Sequence, residues 1–268
     1  MINIQKVIKY LAIVFAVFII FSIFSGIMMG INGLSTIFDD NEITLENLNN
    51  LNINDNIKKL VIDLKSTNLI IKNAEEFKVE TNNEKLKYKQ NNEALFIEDK
   101  TKWYDSNNNY NLIIYLPSSF NLNSTRIENG AGKIDIDELN TNYLYLDLGA
   151  GKVEINNLTV TKDAEINGGA GEIIIDNSNI NDLDLEMGVG KLTLTSILTG
   201  ENEINAGVGE INLNLIGSLE DYKINLDKGI GNANLNNEKM KDDIYYGTGL
   251  NEIEINGGVG NINITLSR

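Results

Sequence analysis

Seven copies of a short glycine unit set the terms on which this chain can fold. They read Gly130-Ala-Gly132-Lys-Ile-Asp-Ile, Gly149-Ala-Gly151-Lys-Val-Glu-Ile, Gly169-Ala-Gly171-Glu-Ile-Ile-Ile, Gly188-Val-Gly190-Lys-Leu-Thr-Leu, Gly207-Val-Gly209-Glu-Ile-Asn-Leu, Gly229-Ile-Gly231-Asn-Ala-Asn-Leu and Gly258-Val-Gly260-Asn-Ile-Asn-Ile. Successive first glycines are 19, 20, 19, 19, 22 and 29 residues apart. The last interval contains Gly247-Thr-Gly249, read as a worn copy followed by a short insertion. Of 23 glycines, 20 follow residue 120, so glycine serves the repeat.

Each unit reads as strand, Gly-x-Gly corner, strand and softer turn. In Leu144–Leu158, Leu144, Leu146 and Leu148 alternate with polar residues, and Val153 and Ile155 do so after the corner. That period of two gives each strand one apolar and one polar face. A unit of about 20 residues cannot bury its apolar face alone, but copies stacked along an axis can. The expectation is an all-β fold: a β-solenoid, or single-chain parallel β-helix, of about seven units 19–22 residues long. Glycine suits its corners because it reaches positive φ without steric cost. The residue between each pair (Ala131, Ala150, Ala170, Val189 and Val208) is expected to point inward and stack. An antiparallel sandwich with similar turns is the rival.

The region before the repeat is also strand-like. Lys59–Leu64, Asn68–Lys72, Phe77–Thr81, Lys85–Lys89, Ala94–Glu98 and Tyr110–Leu116 are short, alternating and separated by Asn or charge clusters. Pro117 ends the last of them, having no N–H for a ladder. Residues 57–119 are read as the strand-rich first part of an ectodomain, 120–268 as the solenoid, and 32–56 as a stalk or cap.

Residues 10–31 carry 22 residues without a charge. At 1.5 Å per residue they span about 33 Å, enough to cross a bilayer core as one transmembrane helix. A cleaved signal peptide is the rival, but its apolar run is shorter and ends in a better small-x-small site. Lys6 and Lys9 precede the span and Asp39, Asp40 and Glu42 follow it. The positive-inside rule places residues 1–9 in the cytoplasm and the rest outside the cell membrane. With 22 basic and 38 acidic residues overall, and two Lys before residue 32, the external part carries 20 and 38, net −18. Such a charge excludes a nucleic-acid footprint and is read as solubility of an extended surface.

The anchor, the strand end Ile113–Leu122 (IIYLPSSFNL) and the "G-x-G-K/E-I-x-I" units together resemble a bacterial "putative-adhesin" family of β-strand-repeat envelope proteins. The resemblance covers roughly residues 58–268 and implies a solenoid-like fold at the cell surface. It brings no functional residues.

The chain has no Cys and no His, so thiolate metal sites and the commonest general base are missing. Gly-Ala-Gly-Lys at 130–133 and 149–152 and Gly-Val-Gly-Lys at 188–191 lack the upstream Gly and following Ser or Thr of a phosphate loop, which excludes a nucleotide site. Asn-Gly-Gly-Ala-Gly at 167–171 lacks the Asp of a calcium nonapeptide, and Asp105-Ser-Asn107-Asn-Asn109 lacks the Gly and Glu of a calcium loop. The outward pairs Asp135/Asp137, Asp182/Asp184 and Glu252/Glu254 read as solvated strand faces. No catalytic, cofactor or metal residue is assigned; the structural residues are the fourteen corner glycines. The 43 Asn include candidates for stacked amide ladders.

The functional expectation is a non-catalytic surface module, structural or adhesive, contacting a surface polymer or protein partner. The alternatives are an envelope-stress or signalling accessory that senses a ligand, and a polysaccharide-acting enzyme. The C-terminal strand Ile262–Arg268 has no evident cap, which makes the solenoid end a candidate for self-association.

Overall fold

The structure, a computed structural model, describes residues 48–101, 110–242 and 244–267. The anchor expected over residues 10–31 and the loop at 105–109 lie outside them. Among the described residues no helix is long and apolar enough to cross a membrane. Their regular elements are all strands: β1 (Asn49–Asn50), β2 (Lys59–Leu64), β3 (Asn68–Asn73), β4 (Lys78–Thr81), β5 (Leu86–Asn91), β6 (Ala94–Asp99), β7 (Asn111–Leu116), β8 (Leu122–Ile136), β9 (Leu139–Ile155), β10 (Leu158–Asn181), β11 (Leu183–Thr199), β12 (Glu201–Ile216), β13 (Tyr222–Asp227), β14 (Ile230–Leu235), β15 (Glu238–Lys239) and β16 (Asn251–Ser267). They form one open sixteen-stranded sheet.

β8 to β12 pair in parallel and in chain order, each residue lying beside its equivalent in the next repeat. The register is set by the apolar period: a slip of one residue would turn every inward side chain to solvent. Leu146 pairs with Ile166, Ile166 with Leu185 and Leu185 with Ile204, giving a column closed to solvent. A second column past the corner runs Val153, Ile173, Leu192, Ile211 and is equally buried. Burying each such side chain stabilises by about 1.5–3 kcal/mol relative to exposure. One repeat unit alone would offer its apolar face nothing to pack on, so these columns tie stability to the stack.

The order in space departs from the order in sequence at both ends. β2 and β3 both lie against β8, as two arms of one earlier coil. The next coil outward is β6 with β7, later in the chain than the coil it flanks. At the other end β16 pairs with β12 on one side and with β13 and β14 on the other. The copy at Gly258 therefore sits between those at Gly207 and Gly229, which explains the intervals of 22 and 29 residues. Residues 57–119 and 120–268 share this one sheet.

Three expectations are corrected here. The C-terminal strand is not an uncapped end, because β16 has a neighbour along both edges. The outermost coil, β13 with β14, is covered by residues 238–242 and 244–249: Tyr246 exchanges backbone hydrogen bonds with Ile224, Met240 donates to Ala233 and Gly249 donates to Tyr222. Side chains satisfy three further donors of this coil: Asn225 accepts from Leu226 N–H, Asp242 from Lys228 N–H and Asp227 from Gly229 N–H. That protects an edge from pairing with another chain. Second, Gly247-Thr-Gly249 is part of this cover and no corner; both glycines press against backbone of residues 219–222. Third, the residues between the corner glycines face outward. Ala150 and Val189 are half-buried, while Val259 and Ile230 are 44% and 73% exposed. The strict alternation of the arm does not carry through the corner, so the residue between the glycines lies on the outer side. They still stack in register, from Ala131 to Ile230.

The opposite end is closed by antiparallel strands. β5 pairs with β6, β4 with β7, and β1 with β4.

Candidate functional site

The corner glycines lie where the stack is tightest. Gly132, Gly151, Gly171, Gly190, Gly209, Gly231 and Gly260 all have φ between +138° and +156°. At Gly171 and Gly209 a Cβ would also overlap the carbonyl oxygen of the equivalent glycine one coil away. Both the dihedral and the approach demand glycine there. The first glycines (Gly130, Gly149, Gly169, Gly188, Gly207, Gly229 and Gly258) likewise lie against neighbouring backbone, and of these only Gly229 has positive φ, +59°. The glycines act as spacers that allow close stacking. The adjacent Lys133 and Lys152 pair with Asp135 at 3.2 Å and Glu154 at 3.3 Å, and their environment is that of a sheet face.

Each arm before a corner projects side chains outward at four and two residues before the first glycine. Aligned by register, the first position reads Arg126, Tyr145, Glu165, Asp184, Glu203 and Glu254. The second reads Glu128, Asp147, Asn167, Glu186, Asn205 and Asn256. Parallel pairing brings residues 19 or 20 apart in sequence, and 51 apart between β12 and β16, side by side at about 4.8 Å. An open groove of about 940 Å³ runs along these columns, bounded by Gly149, Gly169, Gly188 and Gly207 on the corner side.

The field along this face is uneven. Burial, then repulsion from Glu203, Glu186, Glu165 and Asp163, raises the Asp184 carboxyl above its ordinary pKa. Burial, then Asp182 and Glu165, does the same to Asp163. Of the nearby expected pairs, Asp182 accepts from Glu201 N–H at 2.9 Å and Glu252 binds Lys223 at 2.6 Å. Toward β8 the face turns aromatic: the Arg126 guanidinium lies 3.7 Å from the Tyr145 ring centroid and bonds Glu128 at 2.5 Å. Among the described residues no three carboxylates converge on one point as a metal site needs, because side chains on a sheet project in parallel.

Past the corner the outer face changes along the stack from ion pairs, Lys133 with Asp135 and Lys152 with Glu154, to stacked amides. Asn234 donates to Asn263 at 3.3 Å and Asn263 to Asn212 at 3.1 Å, an amide ladder of the expected kind. Thr195 donates to Asp176 at 2.9 Å, and Thr265 to Asn214 at 2.6 Å.

A buried polar knot lies where the first coils lack the glycine corner. The Asp99 carboxylate accepts from Thr67 Oγ1 at 2.8 Å, Asn83 Nδ2 at 3.3 Å and Thr101 N–H at 2.8 Å. Burial pushes its pKa up, but hydrogen bonds from Thr101, Thr67 and the Lys65 backbone outweigh it and hold the carboxyl below its ordinary value. Sequence reasoning missed this knot, whose members carry no motif. It also missed the outward columns, which alignment of the units by their first glycine would have displayed.

A family model described as Toastrack DUF4097 matches residues 57–249. No curated protein matches the chain. Two solved structures are similar to it. One is described as a "putative cell adhesion protein" from Clostridium sporogenes, 21% identical, covering 82% of this chain and 99% of its own, with a TM-score of 0.37. The other, a "putative adhesin" from Bacteroides fragilis, is 14% identical, covering 81% and 95%, with a TM-score of 0.43.

Proposed function

The chain belongs to the Toastrack DUF4097 family, and from that premise we propose that it is a β-solenoid held outside the cell by a membrane anchor at residues 10–31, where it serves as a non-catalytic structural or adhesion module. One observation carries the reading. Successive coils stand in register, so the outer faces form continuous tracks along the stack rather than a pocket with convergent reactive groups. Such tracks suit contact with extended surfaces and polymers. The anchor rests on the uncharged run and its flanking charges. The net charge of the external part keeps it off anionic headgroups.

The test is topology on intact cells carrying the full chain. A membrane-impermeant amine reagent labels Lys133 and Lys191 without lysis, and Lys6 only after it. Labelling of the repeat only after lysis overturns the reading.

A further inference from the structure

The outer face before the corners repeats more than stacking requires. Three coils carry the same pentapeptide pattern: Glu165-Ile-Asn167, Glu203-Ile-Asn205 and Glu254-Ile-Asn256, each followed by Gly or Ala and then the corner glycine. The inward Ile is explained by the core. The outward Glu and Asn are not, since solubility asks for charge and not for one pair at one register. Within a coil the two are joined: Asn167 Nδ2 donates to Glu165 at 3.0 Å and Asn205 Nδ2 to Glu203 at 2.8 Å. Asn256 donates across coils to Asn205 at 3.0 Å. Two of the coils thus present a carboxylate braced by a carboxamide, and in the third Asn256 is tied to the amide of the neighbouring coil. Among the described residues no Lys or Arg pairs with Glu165, Asp184, Glu203 or Glu254.

The groove is lined by Glu165, Asn167, Asp184, Asn205 and Asn256, and Glu203 flanks it beside Asp184. At its β9 end it adjoins an aromatic shelf, where Tyr143 is 52% exposed beside Asp163 and Tyr145 lies beside Glu165. A ligand lying in the groove meets a similar group about every 4.8 Å, close to the length of one sugar ring. The charge asks for a cation and excludes an anionic polymer. The braced amides suit hydroxyls, and an exposed tyrosine suits the face of a sugar ring.

We propose that this face is a docking track for a linear polysaccharide bearing free amino groups, its ammonium groups set against Glu165, Asp184 and Glu203 and a sugar ring against Tyr143. The proposal rests on the surface-module reading and deepens it by naming the polymer. A small metal ion is a poor occupant, because adjacent carboxylates stand in parallel and do not converge.

The experiment titrates the full-length protein in detergent with a β-1,4-linked glucosamine oligomer near pH 6, where amines and most carboxylates are charged. The fully N-acetylated oligomer and an oligolysine of equal charge are the comparisons. The free-amine oligomer is expected to bind, the acetylated one at least about tenfold more weakly, and salt to weaken the first. The triple variant Glu165→Gln, Asp184→Asn, Glu203→Gln is expected to lose about tenfold or more, at roughly twofold to fivefold per carboxylate. Tyr143→Ala is expected to lose several-fold for the sugar and nothing for oligolysine. No binding of the free-amine oligomer, undiminished binding by the folded triple variant, or oligolysine binding as tightly as the sugar would overturn the proposal. With the repeat labelled outside intact cells, these outcomes leave the surface-module reading standing; labelling after lysis alone removes that reading whatever the titration gives.

Discussion

A Cβ on Gly209 would fall inside the carbonyl oxygen of Gly190, the glycine at the same corner one coil away. Neither partner can retreat, since both are backbone in a parallel ladder. Gly209→Ala must therefore separate two coils and also hold alanine at φ +148°. The strained dihedral alone costs about 1–3 kcal/mol. At Gly132 the nearest atom to a Cβ is Asn68 Oδ1 at 3.3 Å, a side chain that can move. Gly209→Ala is expected to lower the denaturation midpoint distinctly more than Gly132→Ala. Equal midpoints would refute the close-stacking role.

The buried Asp99 sets an acid limit on stability. Its folded-state pKa is depressed, so its contribution is full above the unfolded value near 4 and is lost as pH falls through the folded value. Stability of the wild type should decline with falling pH more steeply below about pH 4 than that of Asp99→Asn. At neutral pH, Asp99→Ala should cost about 3 kcal/mol, leaving the Thr67 hydroxyl and the Thr101 N–H without their acceptor. Denaturant titrations at several pH values check both.

Asp184 carries the opposite sign. Its folded pKa is raised, so ionisation above that value opposes folding. Asp184→Asn should stabilise by about half a kcal/mol at neutral pH, the scale of relieving like charges on adjacent strands. The gain should shrink in high salt and vanish in acid. Destabilisation by this substitution at low salt would show that Asp184 has a compensating partner.

The interleaved order of coils predicts a local failure. β13 pairs with no coil except β16. Truncation before residue 251 should abolish amide protection across residues 222–235 and leave that of β9 and β10 intact. Hydrogen exchange resolved by peptide reads this directly, and retained protection at 222–235 would contradict the pairing.

The fold was readable in part. The period of two marks Leu144, Leu146, Val153 and Ile155 as core, as the structure has them, and the constant spacing of the units implies stacking. Ala150 and Val189 defeated the same rule, because a residue between two glycines at a corner no longer follows a strand's alternation. The place of β16 was illegible: intervals of 22 and 29 residues record extra chain without saying which neighbour it reaches. Asp99, Asn83 and Thr67 lie 16 to 32 positions from one another with no repeat to link them. The Glu-Ile-Asn pattern lay open throughout, hidden because the glycines beside it claimed the explanation.

The sixteenth strand works as a keystone. Residues 222–235 come earlier in the chain, yet they have no coil to lean on until residues 251–267 slide in between them and β12. A chain emerging N-terminus first can lay its courses one upon another as far as β12 and must then hold one further course, β13 with β14, unset. Completion is signalled by the arrival of a single stretch, so a premature stop that removes it unlatches one end of the tower and leaves the masonry below standing.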